Sequence, residues 1–136
     1  MKEPVWLTRL VVEAVHFDQI REHGGLHGLR DEGLLESALA RPQHKWTYKR
    51  GPDLASLAAA YGYGLVRNHP FRDGNKRIAF LAMVIFLGLN GFHLDADETD
   101  VVTAMVTAAS GQLTERQLAN WVRKRIARHP KSYWGA

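Results

Sequence analysis

Cysteine is absent from all 136 residues. That excludes a disulfide scaffold and any thiolate metal site, and it fits a reducing compartment. No stretch has the positive, apolar, small-residue order of a secretory leader, so the expected location is cytoplasmic. The longest apolar run, Ile78 to Leu89 broken at Gly88, is shorter than the ~20 residues that cross a bilayer. It reads as a buried central helix, and no membrane partner is expected. There is no Gly-x-x-x-x-Gly-Lys-Ser/Thr, which excludes a P-loop. No base-reading motif is found, so nucleic acid is not an expected partner. Internal repeats, low-complexity segments and linkers are also missing. The length suits one domain over residues 1–130, with 131–136 as a loose tail.

What is present is an apolar share of 46% and a formal charge of +4. The first suffices for a core. The second suits acidic partners or nucleotide phosphates. Basic residues collect at Lys45 to Arg50 and at Arg123 to Lys131; the second cluster reads as solvated surface.

The pattern is all-α, with about six helices around a central apolar one. Thr8 caps the first, with Leu10, Val11, Ala14, Val15 and Phe17 toward the core, and Gly24-Gly25 ends it. Asp31 caps a second carrying Leu34, Leu35, Ala38 and Leu39, closed by Pro42. Residues 43–52 read as a polar, aromatic flap or short β-hairpin. Asp53 caps a third helix through Leu54, Leu57, Ala58, Tyr61 and Leu65, ending near Asn68. The fourth runs from about Gly74 to Leu89. Asp97 caps a fifth with Val101, Val102, Met105 and Val106. Thr114 to Gln117 form a capping box for a sixth, with Leu118, Trp121, Val122 and Ile126 inside. His16 and His93 read as packing residues.

One segment carries chemistry: Asn68-His69-Pro70-Phe71-Arg72-Asp73-Gly74-Asn75-Lys76-Arg77. Pro70 steers His69 out of helical dihedrals, so the third helix stops and the imidazole turns outward. The next helix begins within a few residues, and its first amides have no intrahelical partners. With the helix dipole they attract anions. Gly74 frees the backbone to aim them, and Lys76 and Arg77 add charge. Asp73 suits a magnesium ion shared with phosphates. Phe71 reads as an inward anchor. A base, an anion cradle and a metal ligand are the parts of phosphoryl transfer.

This segment resembles the signature of the Fic/Doc superfamily: His-Pro-Phe, two variable residues, then Gly-Asn-Gly-Arg. His69, Pro70, Phe71, Gly74, Asn75 and Arg77 fit it. Lys76 replaces the second glycine, as in the death-on-curing branch. Gly24-Gly25-Leu26 and Gly28-Leu29-Arg30-Asp31 also resemble that branch. Pro70 and Gly74 are more Fic-like than many of its loops, and Ile78 stands where a threonine is usual.

The resemblance implies His69 as general base, Asp73 as magnesium ligand, Asn75 with the Gly74 backbone lining an anion hole, and Lys76 and Arg77 on the phosphates of ATP, with Arg67 assisting. Lys76 implies that ATP offers its γ-phosphate, making the protein a kinase toxin of a toxin–antitoxin module whose attributed target is a threonine of elongation factor Tu. The alternatives are a nucleotidyl transferase of the same fold, or a catalytically silent module that binds an antitoxin or nucleic acid. No Ser/Thr-x-x-x-Glu-Gly/Asn inhibitory segment is found, which implies an antitoxin on a separate chain. Trp46 and Tyr48 could dock the target or pack beneath the flap.

Overall fold

The described residues, 1–129 of a computed structural model, form six helices and a two-stranded sheet. The expected tail at 131–136 lies outside them. In chain order the elements are α1 (Arg9–His23), α2 (Glu32–Tyr48), α3 (Leu54–Asn68), α4 (Asn75–Leu89), β1 (Phe92–Leu94), α5 (Glu98–Ala109), α6 (Glu115–Arg123) and β2 (Ile126–Arg128). The all-α expectation is borne out. Among the described residues no helix is long and apolar enough to cross a membrane.

Side-chain caps set most helix starts. Thr8, Asp31, Asp53 and Asp97 each accept from the amide three residues on, at 3.3, 2.9, 2.9 and 2.9 Å respectively. Thr114 and Gln117 form the reciprocal capping box of α6. Each cap satisfies a donor that the helix leaves open. α4 differs: Gly74 precedes it and supplies no side-chain cap.

α3 occupies the centre, packed against α2, α4, α5 and α6. Sequence hydropathy points instead to α4, whose outer side is half-buried. The difference lies in side-chain size. Ala58, Ala59, Ala60, Gly62 and Gly64 keep α3 thin enough for neighbours on every side. A Cβ on Gly62 would fall 2.5 Å from Met83 Sδ, so α3 and α4 touch there almost backbone to side chain. Tyr61 is fully buried; its hydroxyl accepts from Leu7 N at 3.0 Å and donates to the Leu7 carbonyl at 3.3 Å. Burial pushes that phenol up to about 12.

Three local expectations are corrected. The flap or hairpin at 43–52 is mainly helix, because α2 runs unbroken through Pro42 to Tyr48. Proline removes a donor and crowds the preceding turn, but tertiary contacts hold the turn beyond it. Trp46 packs edge-on against Trp6 at 6.5 Å, and Arg41 and Lys45 both pair with Glu115. In α1 the buried stripe is Val12, His16 and Ile20, leaving Leu10, Val11 and Phe17 exposed. Both stripes have helical spacing, and the one containing a histidine faces inward. Ile126 lies outside α6, in β2, where it pairs antiparallel with Leu94. Pairing between distant segments leaves no local periodicity to read.

Candidate active site

The site begins where α3 ends. His69 adopts φ 54° and ψ 53°, the single left-handed non-glycine among the described residues. Pro70 disfavours the right-handed helical region at His69, and the chain turns there, with the His69 amide still bonded to Leu65 O at 3.1 Å. A left-handed histidine costs ~1–2 kcal/mol, so something must hold it. Arg30 does: its Nε donates to His69 O at 2.8 Å and its Nη2 to Asn68 O at 2.9 Å. The guanidinium thus caps the negative end of α3 and leaves the imidazole exposed.

The loop after His69 is fixed from beneath. Phe71 is 2% exposed and stacks on His16 with ring centres 3.8 Å apart. The Asn75 side chain accepts from Phe71 N at 3.0 Å and donates to Phe71 O at 2.9 Å. His16 Nε2 lies 2.7 Å from Asp73 O. A carbonyl only accepts, so that nitrogen carries the proton; burial holds the imidazole below the ordinary histidine range and hence neutral. The segment 26–31 ties the loop's outer edge. Arg30 N and Asp31 N donate to Pro70 O at 2.7 and 3.1 Å, Arg72 N donates to Gly28 O at 3.1 Å, and Leu26 N donates to Asp73 Oδ2 at 2.6 Å.

Gly74 then opens α4. Its φ of 78° suits glycine, and a Cβ there would sit 3.2 Å from Ile20 Cδ1. The first amides of α4 receive no side-chain acceptor. Lys76 and Arg77 stand exposed beside them, without a carboxylate partner among the described residues. A cavity of about 940 Å³ is lined by His69, Asp73, Gly74, Asn75, Lys76 and Arg77, by the end of α1, and by mainly apolar residues of α4 and α5 together with Glu98.

A match to the Fic/DOC family spans residues 6–87, which include every element just described up to the last turn of α4. The chain belongs to the Fic/DOC family. It is 32% identical over 111 residues to "Protein kinase doc" of Escherichia phage P1, covering 82% of this chain and 87% of that protein. It is 47% identical over 75 residues to "Toxin Doc" of Mycolicibacterium smegmatis, covering 54% of this chain and 58% of that protein. The resemblance to the death-on-curing branch is therefore borne out.

In this Fic/DOC member some expected residues converge and others do not. His69, Asp73, Gly74, Lys76 and Arg77 share the cavity. Asn75 also lines it; its side chain, in a residue 4% exposed, bonds both backbone groups of Phe71 and so holds the loop's shape. Arg67 does not line the cavity; it donates to Ala109 O at 2.8 Å at the end of α5. Trp46 packs on Trp6, and Tyr48 is 81% exposed in a separate groove.

Sequence reasoning missed the role of Arg30; it read His16 as a packing residue, which it is, but did not foresee its bond to Asp73 O. Arg30 stands in a recognisable segment, but its reach across 38 and 39 residues to α3 leaves no sequence signal. His16 is detectable only as part of the i, i+4 stripe with Val12 and Ile20.

The donor set suits a magnesium ion shared with phosphates. Asp73 Oδ2 is held by Leu26 N, and Oδ1 has no hydrogen-bond partner among the described residues. No group of three or more His, Cys, Asp or Glu among the described residues could hold a metal alone, so such an ion would need phosphate oxygens to complete its shell.

Proposed function

We propose that this protein is the toxin of a toxin–antitoxin module and transfers the γ-phosphate of ATP to a hydroxyl of a protein target. The observation that carries the reading is the convergence, in one cavity, of an exposed imidazole at the end of α3 and an uncapped, cation-flanked helix start at α4. Amides of Gly74 to Arg77, with Lys76 and Arg77, receive the phosphates. Asp73 would hold a magnesium ion, which would neutralise phosphate charge. His69 removes the proton from the target hydroxyl. The freed oxygen bonds to the γ-phosphorus, the bond to the β–γ bridging oxygen breaks, and ADP leaves; His69 then releases the proton to water.

Lys76 supports the kinase reading over nucleotidyl transfer, because its side chain occupies the position where Fic-type loops keep a glycine. The name "Protein kinase doc" of the phage P1 relative agrees. A translation factor, elongation factor Tu by resemblance, is the proposed target. Exposed Val102 and Val106 on the same cavity support an antitoxin supplied by a separate chain that covers them.

Incubation in a translation lysate with ATP labelled at the α- or γ-phosphate tests the reading. Transfer of γ-label alone is expected. Transfer of α-label would assign nucleotidyl transfer instead. Growth arrest that persists in His69→Ala without transfer of either label would assign a silent binding module.

A further inference from the structure

Lys45 and Lys49 of the first basic stretch meet Arg123, the first residue of the second, along one groove. Arg41 and Lys45 stand four residues apart on one face of α2, Lys49 follows at its C-terminal cap, and Arg116 and Arg123 of α6 face them across a groove of about 810 Å³. The groove shares no lining residue with the His69 cavity. Its five cations are set against Glu115, with Asp53 pairing Arg123, so much of the chain's formal charge of +4 is concentrated here. Glu115 anchors Arg41 and Lys45 in fixed positions. Lys49 and Arg116 have no ion-pair partner among the described residues.

We propose that this groove binds single-stranded RNA. Four residues of helix rise ~6 Å, a pitch at which successive cations can meet successive phosphates of an extended strand. Tyr48 lies among them, 81% exposed, with its ring 6.2 Å from that of His44. An exposed aromatic between cations is a stacking platform for bases, the pairing on which sequence-tolerant single-strand binders rely. An acidic protein surface would satisfy the charges equally well. A protein hot spot, however, needs an apolar pocket that excludes water, and Ala119 is the lone aliphatic residue among the lining.

The test is anisotropy of a fluorescein-labelled single-stranded RNA of about 20 nucleotides, titrated with the full chain over a range of salt. Wild type and His69→Ala should bind alike. Lys49→Glu/Arg116→Glu should weaken binding at least tenfold at about 50 mM salt, with an unchanged melting temperature. The slope of log K against log salt should be shallower by about 1.4, for the loss of two phosphate contacts. Tyr48→Ala should weaken binding about fivefold or more without changing that slope. If charge reversal perturbs folding, Lys49→Gln/Arg116→Gln replaces it. No anisotropy change with wild type, or variants that bind as wild type does, would overturn the proposal. So would poly-glutamate binding as tightly through the same residues, which would assign the groove to an acidic protein partner.

Discussion

Two helix starts in this molecule are built in opposite ways. α3 begins at Asp53, whose carboxylate accepts from Ser56 N and pairs with Arg123 at 2.7 Å. Its positive end is closed by the protein itself. α4 begins after Gly74 with no side-chain acceptor, beside two cations that have no carboxylate partner among the described residues. A helix start that is satisfied internally contributes stability; one left open in a cavity is available to an outside anion. The contrast shows how one structural element serves the fold in one place and chemistry in another. Substitutions at the two ends should therefore fail differently.

The largest effect is expected at the open end. His69→Ala should lower γ-phosphate transfer ~10²–10⁴-fold, the usual worth of a general base, with the melting temperature preserved because the ring is exposed. A parallel loss of stability would contradict this placement. Arg30→Gln sharpens the point: it removes the clamp on Asn68 and His69 carbonyls without touching the cavity. It should reduce turnover more than it raises KM, measured by steady-state phosphotransfer.

Phe71→Ala attacks the floor beneath the open end. Loss of a buried ring stacked on His16 should destabilise by about 3–5 kcal/mol in denaturant unfolding. A cost below about 1 kcal/mol would mean that the loop does not depend on this anchor.

Effects at closed ends should be smaller and should respond to acid. At the start of α6, burial would raise the Glu115 carboxyl, but Lys45 and Arg41 outweigh it and hold it below its ordinary range. At α3, Arg123 holds the Asp53 carboxyl well below its own. Both folded-state values lie under the unfolded ones. Their contribution is therefore full above the unfolded carboxylate range and is lost as pH falls through the folded values. Glu115→Gln should cost about 2–3 kcal/mol near neutrality, less than breaking a fully buried pair. Asp53→Ala should cost about 1 kcal/mol, mainly as a lost cap, since the ion pair is solvent-exposed. Both differences should shrink below about pH 4 in urea titrations.

The closed ends were legible in the sequence, because a cap acts over three residues. Thr8, Asp31, Asp53, Asp97 and Thr114 all mark true helix starts. The open end was legible too, since His69 to Arg77 is one continuous segment, a short loop and the first turn of α4, whose proline and glycine set the loop dihedrals. What escaped were effects of distance. Pro42 stays within α2 because Trp6 and Glu115 hold the next turn, and neither is near it in sequence. The short sheet, the Arg30 clamp and the redirection of Arg67 toward Ala109 depend on the same kind of remote partner. Asn75 was placed in the site by the sequence, but its two side-chain bonds to Phe71 depended on where Phe71 would be buried.

The central claim is that the start of α4, and not that of α3, awaits an anion. Titration of the isotopically labelled protein with magnesium and ATP, followed by amide chemical shifts, reads this directly. The amides of Gly74, Asn75, Lys76 and Arg77 should shift with a common saturation curve, while those of Leu54, Ala55 and Ser56 stay in place. Unmoved α4 amides, or equal shifts at both helix starts, would contradict the account.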